Sequence, residues 1–120
     1  FILCLELTNF GWVYSSIFID KYSQLIDSIK QVKPNCEVIV QSIIPVTKSK
    51  SDSDEIYNNP RIEEYNELIK KMAREKNIQY IDVASYLADS AGNLPEEAST
   101  DGVHVNKKYC LKWLECLKQN

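Results

Sequence analysis

With 120 residues, the chain is long enough for one small domain with a core of its own. Apolar residues make up 44%, which excludes a disordered chain, and a net charge of −3 excludes a global basic footprint for nucleic acid or an anionic membrane surface. No apolar run approaches the length of a membrane span. Phe1 to Leu7 is a nearly continuous apolar run, broken only by Glu6, and predicts a strand buried on both faces, as in a parallel sheet. It carries neither a basic n-region nor an initiator methionine, so the chain is expected to begin inside a larger protein. Thr8-Asn9-Phe10-Gly11-Trp12 reads as the loop leaving that strand.

Ser15 or Ser16 is expected to cap a helix running to about Val32, with Phe18, Tyr22, Leu25, Ile26 and Ile29 on its apolar stripe. Pro34-Asn35 ends it. Glu37 to Ile43 is β-branched and predicts a second strand. Residues 44–60 are polar and turn-rich, too long for an ordinary strand-to-helix connection, and read as a loop that is either functional or solvated. Arg61 to Lys76 predicts a second helix with Ile62, Tyr65, Ile69, Met72 and Ala73 inside and Asn77 ending it. Gln79 to Val83 predicts a third strand. A connection with a short helical turn follows, and then Asn106 caps a last helix whose inner stripe is Tyr109, Trp113, Leu114 and Leu117.

Strands alternating with helices imply parallel strands joined by right-handed crossovers. Ligands in such sheets bind beyond the carboxyl ends of the strands. Thr8 and Asn9, Ser42 to Pro45, and the Asp101–His104 segment would all lie on that rim. No internal repeat or domain boundary is visible, so residues 1–120 read as one domain. The four cysteines, Cys4, Cys36, Cys110 and Cys116, form no C-x-x-C pair, and with one histidine a zinc site would need an unusual ligand set. They read as small buried hydrophobes or partly exposed thiols, which fits a reducing compartment.

Ser99-Thr100-Asp101-Gly102-Val103-His104-Val105-Asn106 holds the only histidine. Gly102 allows a sharp turn, which can aim the Asp101 carboxylate and the His104 imidazole at one place. Histidine is the usual general base at neutral pH, and an aspartate beside it fixes the tautomer and stabilises the imidazolium. The plain alternative is a surface histidine on a turn before a helix.

The chain resembles the SGNH hydrolases, also called the GDSL esterase/lipase family, over nearly its whole length, as the C-terminal part of that domain. The residues that carry the resemblance are Asp101-Gly102-Val103-His104, the strand Tyr80-Ile81-Asp82-Val83 with Gly92-Asn93-Leu94-Pro95, the helix from Arg61 to Ile69, and Val40 to Val46. The resemblance implies a flavodoxin-like three-layer α/β/α fold with a partial parallel sheet of about three strands. It implies a serine ester hydrolase acting on a small acyl ester with no metal or cofactor, His104 as base and Asp101 as its orienter. Aligned on Gly11-Trp12, it places Thr8 at the oxyanion-hole asparagine, with Asn9 one position later and able to serve through a one-residue loop shift, and Glu6 where the family has glycine. The family's nucleophile belongs to a Gly-Asp-Ser block, and no such block occurs in these residues. The expectation is therefore an N-terminally truncated domain that lacks the first segment of its own sheet and is inactive by itself. Ser42 and Ser99 offer no substitute: Ser42 has no strained-turn signature, and Ser99 shares a segment with the base. The competing reading is a non-catalytic flavodoxin-like α/β binding or remnant module.

Overall fold

The structure, a computed structural model, describes residues 2–3 and 14–119. Its parallel sheet has the order β1-β2-β3, with β1 at Ile2–Leu3, β2 at Ile39–Gln41 and β3 at Gln79–Ile81. The register pairs Ile2 with Ile39, and Val40 with Tyr80. Each crossover carries a helix: α1 (Ser15–Val32) joins β1 to β2, while α2 (Lys48–Ser53) and α3 (Asn59–Glu75) lie between β2 and β3. After β3 come α4 (Val83–Leu87), a 3₁₀ turn at Glu96–Ala98 and α5 (Lys107–Gln119).

Strand side chains alternate between two cores, as the pleat requires. Val40 and Tyr80 join Phe18, Tyr22, Ile26, Ile62, Tyr65 and Ile69 in a core beneath α1 and α3. Ile39 and Ile81 turn the other way, into a second core with Val83, Leu87, Leu94, Tyr109 and Cys116 from α4, α5 and the loop between them. Two helical layers thus enclose one sheet, the flavodoxin-like arrangement expected. Gln41 also faces the second layer, where the Trp113 indole N–H donates to its Oε1 at 2.7 Å.

Several local expectations need correction. No serine side chain caps α1; Tyr14 stands at its N-cap without a side-chain bond. Leu25 and Leu114 are about half exposed, because each lies at the margin of its helix's apolar stripe. Cys116 takes the inward position on α5 instead. The 44–60 segment is not a plain loop. It contains α2, capped by the buried Thr47, whose Oγ1 accepts from the Lys50 N–H, and α3 begins at Asn59, two residues before Arg61. Helix α2 has no buried residue, so hydrophobic periodicity carried no sign of it. Asn77 does end α3, one position past the Lys76 C-cap. Its φ is +56°, and the bonds from Ile78 N to Ala73 O and from Asn77 N to Arg74 O close a Schellman motif.

Candidate active site

The Asp101–His104 turn is built almost wholly from its own side chains and amides. Asp101 Oδ1 accepts from the Ser99 hydroxyl at 2.9 Å and from the backbone N–H groups of Val103 and His104 at 2.9 and 2.8 Å. Its Oδ2 lies 2.7 Å from His104 Nδ1. An ionised carboxylate can only accept, so Nδ1 carries the proton in this contact. The His104 ring bond, with the His104 and Val103 amides and the Ser99 hydroxyl, holds the Asp101 carboxyl well below the usual carboxylate range. Both side chains are exposed, His104 the more so at 80%.

Gly102 allows the turn to dock against the body of the domain. Its φ is +85°, and a Cβ there would lie 2.7 Å from Lys50 Cβ and 3.0 Å from Thr47 Oγ1. The first turn of α2 therefore packs directly on the glycine, and the Thr47 N–H donates to the Gly102 carbonyl at 3.1 Å. Below, Asn106 caps α5 through the Tyr109 N–H and its own N–H reaches Ala98 O, which ties the end of the turn to the 3₁₀ segment. A cleft of about 270 Å³ opens beside the turn, with Ser49, Lys50, Glu96, Ser99 and Asp101 in its walls. A larger groove of about 520 Å³ runs along the other side of α2, between α3 and α4, and includes neither Asp101 nor His104.

Two asparagines of α3 hold the strand-to-helix segment that reaches this turn. Asn66 accepts from Ile43 N–H and donates to Ile43 O, at 2.7 and 2.9 Å. Asn59 does the same to Val46, at 2.8 Å for both bonds, and its Nδ2 also reaches Asn93 Oδ1 at 2.7 Å. They stand seven residues apart, two helical turns, and so share a face. Sequence reasoning missed this pair and Thr47. The available signal was polar residues at helical spacing on the same side of the helix as an apolar stripe.

The remaining sequence candidates separate clearly. Ser42 is buried, and its hydroxyl accepts from Ala84 N–H at 2.8 Å, which makes it a brace between β2 and α4. Ser99 serves the Asp101 carboxylate and also accepts from Gly102 N–H. Thr8 and Asn9, the oxyanion candidates, lie outside the described residues, as do Glu6 and Cys4. Cys116 is buried and Cys110 exposed. Among the described residues no cluster of His, Cys, Asp and Glu could hold a metal ion, and no helix is long and apolar enough to cross a membrane.

A model of the GDSL-like lipase/acylhydrolase family matches residues 8–108. The chain belongs to that family. Comparison with curated proteins finds no match. Among solved structures, the chain is similar to a Streptococcus pneumonia protein assigned provisionally as a platelet activating factor, at 24% identity and a TM-score of 0.88, covering 98% of this chain and 57% of that one. It is also similar to the esterase domain of the ZfL2-1 ORF1 protein from a zebrafish retrotransposon (16% identity, TM-score 0.72, 91% and 60% covered). A carbohydrate esterase family 3 protein from Talaromyces cellulolyticus gives 22% identity and a TM-score of 0.70, with 99% and 54% covered. At these identities the likeness shows the fold that the GDSL chain shares with them. The chain spans little more than half the length of these structures.

Proposed function

We propose that this GDSL-family chain carries the base-and-orienter half of a serine ester hydrolase, with His104 as general base and Asp101 as its positioning partner. The observation that carries the reading is the 2.7 Å contact between Asp101 Oδ2 and His104 Nδ1. With Nδ1 protonated and held by a carboxylate, Nε2 is the atom that exchanges a proton with the reacting groups. A serine hydroxyl delivered to Nε2 gives up its proton as Oγ bonds to the acyl carbon. The tetrahedral adduct then collapses, its ester C–O bond breaks, and Nε2 returns the proton to the leaving alkoxide. Water repeats the sequence on the acyl-enzyme. The substrate class is an acyl ester; the carbohydrate esterase among the similar structures is one example of such chemistry.

The nucleophile would come from a Gly-Asp-Ser block preceding Phe1, since these residues contain none and similar chains are nearly twice as long. Asn9, or Thr8 beside it, would supply a side-chain donor to the oxyanion. The 120 residues alone should then hydrolyse p-nitrophenyl acetate no faster than their His104→Ala variant. In a longer protein that joins an upstream Gly-Asp-Ser block to these residues, Asp101→Asn and His104→Ala should each lower kcat by about 10³–10⁴-fold with little change in KM. Equal activity of the three longer proteins would return the turn to a structural role and favour a non-catalytic α/β module. His104-dependent turnover by the short chain would place the nucleophile within it.

A further inference from the structure

We infer that Asn59 is a positioning residue for the Asp101–His104 pair, acting through Val46, Thr47 and Gly102 without touching either side chain. The inference rests on the reading of that pair as base and orienter. A primary amide offers an acceptor and two donors in one plane. Asn59 uses them to hold both peptide groups of Val46, as a neighbouring strand would, and to bind Asn93. Its backbone N–H donates to Ser51 Oγ in α2 at 2.9 Å. The start of α2 is therefore fixed from both sides by one residue.

The next residue after Val46 is Thr47, whose N–H binds the Gly102 carbonyl. That carbonyl belongs to the same rigid peptide plane as the Val103 N–H. The Val103 N–H is one of the donors on Asp101 Oδ1. Thr47 and Asp101 thus grip opposite ends of one plane, and a rotation that loosens the Thr47 bond also turns a donor away from the carboxylate that orients His104. Asn59 controls this plane because it sets where Val46, and hence Thr47, stands.

Asn66 provides the control. It makes the same two kinds of bond to a peptide of the same segment, but to Ile43, three residues further from Thr47. The single histidine makes the readout unambiguous. In the ¹⁵N-labelled chain, long-range proton–nitrogen correlation at a pH where the ring is neutral reports the ratio of the Nδ1–H to the Nε2–H tautomer. Wild type should be mainly Nδ1–H. Asn59→Ala should lower the ratio about threefold or more, the effect of losing part of a charge-assisted hydrogen bond. Asn66→Ala should lower the melting temperature comparably and leave the ratio unchanged. If Asn59→Ala does not fold, Asn59→Ser, which keeps a small polar group, is read in the same way. An unchanged ratio in a folded Asn59 variant, or an equal change in Asn66→Ala, would overturn the inference while leaving the pair intact. A wild-type ring that is mainly Nε2–H would instead overturn the reading of the pair, and the inference with it.

Discussion

Replacing Gly102 by alanine should cost more than replacing any other described glycine, for a reason that separates into two parts. The first is backbone conformation. A φ of +85° is unfavourable for any residue with a Cβ, at about 1–2 kcal/mol. The second is space. The new methyl would sit 2.7 Å from Lys50 Cβ and 3.0 Å from Thr47 Oγ1, and neither atom is the tip of a flexible side chain. Lys50 Cβ is fixed to α2, and Thr47 is buried at the cap, so backbone must move. Overpacking of this kind costs about 1–3 kcal/mol. The sum, about 2–5 kcal/mol, is a large part of the 5–15 kcal/mol or so that holds a domain folded. Gly92 isolates the first part: its φ is +86°, and a Cβ there would meet nothing within 4 Å. Gly92→Ala should therefore lose only about 1–2 kcal/mol. Urea unfolding followed by circular dichroism measures both, with the shift in midpoint read at constant slope. Equal losses for the two variants would refute the claim that α2 packs against the turn, and a Gly102→Ala protein as stable as wild type would refute both parts.

Acid should weaken the fold through Asp54. Its carboxylate accepts from the Tyr57 and Ile56 amides and pairs with Lys50, which lowers its pKa to about 2. The folded value lies below the unfolded value of about 3.9, so this contribution is present above about pH 4 and lost as pH falls towards 2; Asp54→Asn should flatten that limb of a melting-temperature profile, and parallel profiles would count against it. Trp113→Phe removes the indole donor from the buried Gln41 amide and should cost about 1–3 kcal/mol in urea unfolding, whereas a loss too small to measure would mean that Gln41 finds another partner. Among the described residues β1 has no strand on its far side, and an apolar strand edge is a pairing template. Sedimentation should therefore show self-association at micromolar concentration, relieved by Leu5→Lys in the apolar run that contains β1; a monomer at all concentrations would contradict this.

Much of the architecture was legible because burial imposes a period. The stripe Ile62, Tyr65, Ile69 and Met72 marks α3 in the sequence and is buried in the structure. The β-branched run around Val40 marks the central strand, and alternation of strands with helices gives parallel pairing. The misses occur where burial is partial or absent. Leu25 and Leu114 satisfy the helical period at its edge, where a stripe's width and not its phase decides exposure. Helix α2 has no apolar stripe at all. It is held by the Thr47 cap, by Lys48–Asp52 and Lys50–Asp54 pairs four residues apart, and by a Ser49 hydrogen bond to Glu96, a residue 47 positions away. Only the cap and the pairs are local enough to read in advance.

The candidate site divides along the same line. All the named bonds to the Asp101 carboxylate come from Ser99, Val103 and His104, within six consecutive residues. A short motif can encode that constellation, so the Asp101–His104 contact was visible in the sequence. Where the turn sits is another matter. It depends on Thr47 meeting Gly102 across 55 positions of sequence, and on two asparagines of α3 that bond the backbone of Ile43 and Val46. Those residues are polar or small, and the helical spacing of the two asparagines is the one trace of them in the sequence. They become meaningful only when the fold brings them together. A motif thus specifies the internal geometry of the Asp101–His104 pair, while the placement of the pair against α2 is a property of the tertiary structure. Variants of Ser99 should accordingly disturb the pair directly, and variants of Asn59 only through the peptide that Thr47 holds.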